Sequence, residues 1–313
     1  MTASKRNTPT YDVLGIGCVA VDELLYIDAF PGEDGKQQIL RSERQCGGLT
    51  ATALVAAAKL GGRCAFGGLI GTDELSSVVE DNFRRHGVDV SHAVHTQEAG
   101  PIHAFIVVAE RGHTRTIFFD ANAATGAPPN GPNESAVRAA RVLLIDDYGH
   151  EGNLKALEVA RDSGVEVVAD FERNDSQLFP VLVDEVGHLV VSQGFALRTT
   201  GAPTAEAATH ALWTESRAAV VITCGSDGAW YKAAPGEGPR HVPAFRVPVV
   251  DTTGCGDVFH GAYALALARG WSIEKRVRYA EAAAALKAGR AGGQSGSPNE
   301  EELTAFMKEN YRR

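Results

Sequence analysis

Short apolar runs alternate with amphipathic stretches along most of the chain, the order that a mostly parallel sheet covered by helices on both faces requires. The strand-like runs are Val13 to Val19, Cys64 to Leu69, Val142 to Ile145, Val165 to Ala169, Leu189 to Val191 and Val220 to Thr223. Between them the spacing predicts helices over Ala51 to Leu60, Glu74 to His86 and Leu154 to Ser163. These stop at Gly61, Gly87 and Gly164, each suited to the left-handed residue that ends a helix.

Two stretches break the alternation. Leu24 to Gln45 contains strand-like pieces around Phe30-Pro31-Gly32-Glu33-Asp34-Gly35-Lys36, and Ile102 to Phe119 reads as a hairpin turning at Glu110-Arg111-Gly112-His113. No helix intervenes before the hairpin closes, so neither piece forms a βαβ unit. A small separate sheet is expected, built from about 24–45 and 100–121 and serving as a lid, because α/β sheets bind ligands beyond the carboxyl ends of their strands. The loops Ala127 to Asn133 and Pro235 to Pro239 are too short to be linkers, and no repeat is seen, so residues 1–313 read as a single domain.

Whole-chain properties narrow the class. A chain of 313 residues that is 44% apolar and 22% charged can bury a substantial core without staples. A formal charge of -9 and a pI near 5.6 argue against nucleic acid or an anionic membrane as the main partner. Five cysteines without a CxxC pair fit reduced thiols and a cytoplasmic protein, and no HExxH spacing suggests a structural metal. The first residues, MTASKRNTPTYDV, lack an apolar leader core, and no run of about eighteen apolar residues occurs, so neither a signal peptide nor a membrane span is expected.

The densest chemistry lies at Asp251-Thr252-Thr253-Gly254-Cys255-Gly256-Asp257, followed at once by the helical pattern VFHGAYALALARG. A glycine-rich turn opening a helix offers unpaired backbone N–H groups and the positive end of the helix dipole to a phosphate. Gly254 and Gly256 permit close backbone approach, and Asp257 stands where a carboxylate can take a proton from a hydroxyl. Taken alone, the turn fits an ordinary strand-to-helix connection equally well. The pair Gly15 and Gly17 hints at a dinucleotide fingerprint, but Ala20 occupies the place of its third glycine.

Five segments in order, GCVAVDEL, CGGLTATALVAAAKLGG, TCGSDGAW, VVDTTGCGDVFHGAYALALA and AALKAGRAGGQSGSP, resemble the PfkB-type carbohydrate kinases of the ribokinase-like family. The resemblance implies a three-layer α/β/α sandwich with a β lid and ATP-dependent phosphorylation of a primary hydroxyl on a small sugar-like substrate. It implies Asp257 as general base and the N–H groups of Gly254, Cys255 and Gly256 as an anion hole. Asp22, at the end of the first strand, with Lys36, Gly47, Gly48 and Thr52 would meet the substrate. Thr223, Gly225, Gly228 and Gly292 would meet the nucleotide. Mg²⁺ is implied on the nucleotide phosphates, and Asp251 with Thr253 matches positions that hold a monovalent cation such as K⁺ in some members. Lids of this kind pair into homodimers.

Three positions depart from the family pattern. Thr52 replaces a sugar-contacting asparagine, Ser192-Gln193-Gly194-Phe195 lacks the carboxylate of the Mg²⁺ element, and Cys255 stands where alanine is usual. The motif detail is most similar to the sulfofructose kinase branch, with Lys36 facing an anionic substrate group, but that branch's accompanying arginine is absent around Asp147-Tyr148. A neutral ketose, aldose or nucleoside, or a sugar bearing a different anion, fits as well, and the missing carboxylate leaves a non-catalytic sugar or nucleotide sensor as the alternative. Asp120, Asn122, Asp146, Asp147, Tyr148, Asp170 and Arg173 are further candidates for lining the acceptor pocket.

Overall fold

In the computed structural model, which describes residues 9–310 apart from His113 and Asp175, the first apolar run is cut short. Strand β1 spans Tyr11–Ile16, and the chain becomes extended again only in β2, Ala20–Ile27, which belongs to a second sheet. The expected strand Val13 to Val19 therefore ends at Ile16. The break falls at Gly17, where a side chain would collide with Thr50 and Asp146, and the next N–H, of Cys18, is taken by Asp146 Oδ2 at 2.7 Å.

The chain continues through β3 (Arg41–Gly47), α1 (Leu49–Lys59), β4 (Cys64–Phe66), β5 (Leu69–Ile70), α2 (Glu74–Arg85) and β6 (Val94–His95). The hairpin follows as β7 (Ile102–Ala109) and β8 (Thr114–Asp120); of its expected turn, His113 lies outside the described residues. Next come α3 (Glu134–Arg138), β9 (Ala140–Asp146), α4 (His150–Ser163), β10 (Glu166–Asp170), α5 (Phe179–Glu185), β11 (His188–Ser192), α6 (Gln193–Thr200), α7 (Ala205–Leu212) and β12 (Ala219–Thr223). A 3-10 turn, Gly225–Asp227, leads to β13 (Ala229–Lys232) and β14 (Arg240–Val242), and α8 (Cys255–Ala268), α9 (Ile273–Ala288) and α10 (Glu300–Asn310) close the fold.

The main sheet has the order β14-β13-β12-β11-β10-β9-β1-β4, parallel from β12 to β4 with two antiparallel strands at one edge. Alternate strand residues feed two cores. Val13, Val142, Leu144, Val168, Val190 and Val221 pack with α1, α2, α8, α9 and α10, whereas Leu14, Leu143, Ile145, Leu189 and Ile222 pack with α3 to α7. This is the doubly covered α/β sandwich expected. Gly61, Gly87 and Gly164 follow their helices with φ of 82°, 73° and 68°, as the spacing predicts.

A second sheet has the order β3-β2-β7-β8. The two irregular stretches join through a parallel register, Ala20 beside Ile102 through Ile27 beside Ala109. Asp22 consequently lies within β2, beside Gln45 and Ala104, and not at the end of the first strand as expected. Among the described residues no helix is long and apolar enough to cross a membrane.

Candidate active site

A cavity of about 490 Å³ lies between the second sheet and the turn that opens α8. From the second sheet come Asp22, Leu24, Tyr26, Ile106, Val108 and Arg115; from the main body come Thr52, Asp251, Thr253, Gly254, Asp257 and Gly292. The structure thus brings together Asp22, Gly47, Gly48, Thr52, Asp251, Thr253, Gly254, Asp257 and Gly292.

The α8 turn is shaped by Gly254. It caps the helix at φ 76°, and a Cβ there would lie 2.9 Å from Gly293 Cα, so the turn packs backbone to backbone against the 289–296 loop. The N–H of Cys255 closes the turn onto Thr252 O at 3.2 Å, whereas those of Gly254 and Gly256 have no backbone acceptor among the described residues. One of the three expected anion-hole donors is therefore already engaged. Burial pushes the Cys255 thiol up, so it is not a thiolate at neutral pH.

Asp257, in the first turn of α8, is held well above the ordinary carboxylate range by burial and then by the negative charge of Asp170. His260, one helical turn on, opposes this. Its Nδ1 lies 2.8 Å from Gly256 O and 3.2 Å from Asp170 Oδ2, and its Nε2 lies 2.9 Å from Val190 O.

Asp22 lies against Gly47, where a Cβ would come within 2.8 Å of its Oδ2, and burial raises its carboxyl to about 6. Gly48 answers to packing: at φ 96° it opens α1, with its missing Cβ 2.6 Å from Cys18 O. Thr52 is buried and its Oγ1 accepts from Gln294 Nε2 at 3.3 Å.

Other expected residues are not brought to the cavity. Lys36 is exposed in the connection between β2 and β3. Thr223 ends β12, and Gly225 and Gly228 flank the following turn, so all three sit at the carboxyl edge of the sheet but outside this cavity. Ser192 accepts from the N–H of Phe195 and caps α6, while Phe195 is buried in the core; that pair does the work of a helix start. Asp146 is a structural tie, accepting from the N–H of Cys18, the Thr50 hydroxyl and the N–H of Tyr148. Asp147 accepts from the N–H of Arg173 at 2.8 Å.

Three contributors escape sequence reasoning. Arg115, on β8 opposite Val108, donates to Thr253 Oγ1 at 2.8 Å and is the one cationic side chain among the described residues lining the cavity. Gln294 links Thr52 to Asn82. Lys287 is fully buried beneath Asp251. Only Lys287 leaves a trace in the chain, as a charge directly after the apolar run Ala282 to Leu286.

The family model for pfkB family carbohydrate kinases matches residues 16–300. The chain therefore belongs to the pfkB family of carbohydrate kinases, phosphotransferases with an alcohol group as acceptor. It is 26% identical to the ribokinase of Haemophilus influenzae over 302 residues, covering 94% of this chain and 97% of that protein. The crystal structure of a putative ribokinase from Agrobacterium tumefaciens superposes with a TM-score of 0.86 at 26% identity, covering 97% of this chain and 99% of that one. The Arabidopsis thaliana ribokinase complexed with ribose and ATP has the same fold, with a TM-score of 0.84 at 23% identity and coverage of 96% and 99%.

Proposed function

We propose that this protein transfers the γ-phosphoryl group of ATP to a primary hydroxyl of a small neutral sugar, with Asp257 as general base. The observation that carries the reading is the convergence on one cavity of Asp257, the Gly254 turn, Asp22 from the second sheet and Arg115. The acceptor hydroxyls hydrogen-bond Asp22, and Gly47 beside it lines the cavity in which the sugar rests. The reacting hydroxyl faces Asp257, whose raised basicity suits proton abstraction late in a loose transition state. The free N–H groups of Gly254 and Gly256, the α8 dipole and Arg115 gather around the transferring phosphoryl group, where charge neutralisation and positioning supply most of the rate. Mg²⁺ carried on the nucleotide would supply charge neutralisation of its phosphates. The carboxylates of Asp170 and Glu172, which act electrostatically on Asp257, fit a cation-bearing nucleotide better than a bare anion. Thr223, Gly225 and Gly228 at the sheet edge are assigned to the rest of the nucleotide, with Gly292 closing over it.

With Lys36 outside the cavity, the contact behind the sulfonated-sugar resemblance is missing, which favours a neutral acceptor. The second sheet acts as the lid, and its outer face, carrying Phe105 and Phe118 at 42% and 54% exposure, supports pairing into a homodimer. Asp257→Asn tests the mechanism: with ADP release followed across a panel of sugars, kcat is expected to fall by about 10² to 10⁴ with nucleotide affinity retained. Turnover within a few-fold of the parent removes Asp257 from the role. Tight sugar binding without turnover in the parent protein would favour a sensor.

A further inference from the structure

The turn that opens α8 is held from below by a buried ammonium. Lys287, in the last turn of α9, has no exposed surface. Its Nζ donates to Asp251 O at 2.8 Å and to Arg290 O at 3.1 Å, and lies 3.7 Å from Asp251 Oδ2. Two of its protons meet carbonyl oxygens, and the nearby Asp251 carboxylate carries the balancing charge. Both segments that border the cavity are tied by these contacts. Asp251 also accepts the N–H of Thr253 and, through Oδ2, the N–H of Gly292, each at 2.9 Å. Gly296 is pressed close, since a Cβ there would lie 2.9 Å from Lys287 Cδ.

A monovalent metal ion bound by Asp251 and the Thr253 segment would draw on the same carboxylate and lie beside this fixed positive charge. A bare ion such as K⁺ gathers several carbonyl and carboxylate oxygens, and here Asp251 O, Arg290 O and Asp251 Oδ2 already face a positive charge fixed to the chain. The residues present therefore do not fit a monovalent metal in addition to Lys287, in contrast to the expectation from Asp251 and Thr253.

We propose that Lys287 is a built-in monovalent cation: its ammonium takes the place of a metal ion in positioning the Asp251–Gly254 turn, and the enzyme works without K⁺. The proposal rests on the reading of that turn as the anion hole. Lys287 touches no reacting group and acts as a positioning residue through Asp251 and the turn.

The test compares chloride salts of K⁺, Na⁺, ammonium and tetramethylammonium at equal ionic strength, reading thermal melting and turnover. The parent protein is expected to melt at the same temperature and turn over at the same rate in all four. Lys287→Ala, which opens a space beneath Asp251, is expected to melt earlier and to lose about 10²-fold in kcat, the size of one lost hole donor. Ammonium or K⁺ should restore part of both, and tetramethylammonium, too large for the space, should restore neither. Melting or turnover of the parent that rises specifically with K⁺ overturns the proposal. So does a Lys287→Ala protein that melts earlier yet keeps its kcat, since the lysine would then be structural alone. If Lys287→Ala does not fold, the salt comparison on the parent still decides. Because melting requires no sugar, a parent protein that phosphorylates nothing would count against the kinase reading and leave this test intact.

Discussion

Replacing Gly254 by alanine should damage stability and catalysis together, by amounts that follow from the geometry. At φ 76° an L-residue costs about 1–2 kcal/mol relative to glycine. The new Cβ would also lie 2.9 Å from Gly293 Cα, a backbone atom with no rotamer by which to yield, and overpacking of that kind costs about 1–3 kcal/mol before relaxation. With relaxation relieving part of the clash, a net loss of about 2–4 kcal/mol is expected. With roughly 2.1 cal/mol/K of unfolding entropy per residue, each kcal/mol is worth about 1.5 °C in 313 residues, so melting should fall by about 3–6 °C. Relief comes by pushing the α8 turn away from the 289–296 loop. That displaces the N–H groups proposed to meet the phosphoryl group and should lower kcat by about 10² to 10³. Gly256→Ala is the control. Its Cβ meets no atom within 4 Å and its φ is not left-handed, so melting should hold or rise slightly, while the methyl group enters the space assigned to the phosphoryl group and depresses kcat. Calorimetry and steady-state kinetics on the two variants are the assay. A Gly254→Ala protein with parental melting refutes the strain argument, and one that melts early but turns over normally shows that this turn is not the anion hole.

Asp170→Asn should move the acidic limb of kcat/KM to lower pH. The negative charge of Asp170 raises the Asp257 carboxyl, so removing it lets Asp257 stay ionised further into acid; an unmoved or upward-shifted limb excludes Asp257 as the titrating base. Phe118→Asp should convert the expected homodimer to monomer in sedimentation at micromolar concentration, and a parent protein that is already monomeric there removes the lid-to-lid pairing.

Much of the fold is legible because strand and helix periodicity is local. The strand runs, the glycine helix ends and the hairpin can all be read without knowing what they pack against. Where the readings fail, a distant contact decides. Val13 to Val19 looks like one strand, but Asp146, far along the chain, takes the N–H of Cys18 and turns the backbone out of the sheet. Ser192 and Phe195 look like a damaged metal element, and in place they are a helix cap and a core side chain.

The site divides in the same way. The α8 turn is continuous in sequence, so its glycines and Asp257 can be read together as a candidate phosphate-binding helix start, and the order of the five segments, not the turn alone, points to the kinase family. Only the tertiary structure decided that Asp22 reaches that turn from the second sheet, that Arg115 crosses onto Thr253, that Lys36 stays out, and that Lys287 stands beneath Asp251. Those four depend on parallel pairing across about eighty residues and on one helix end meeting one loop, and pairings of that range leave no periodicity in the chain to read.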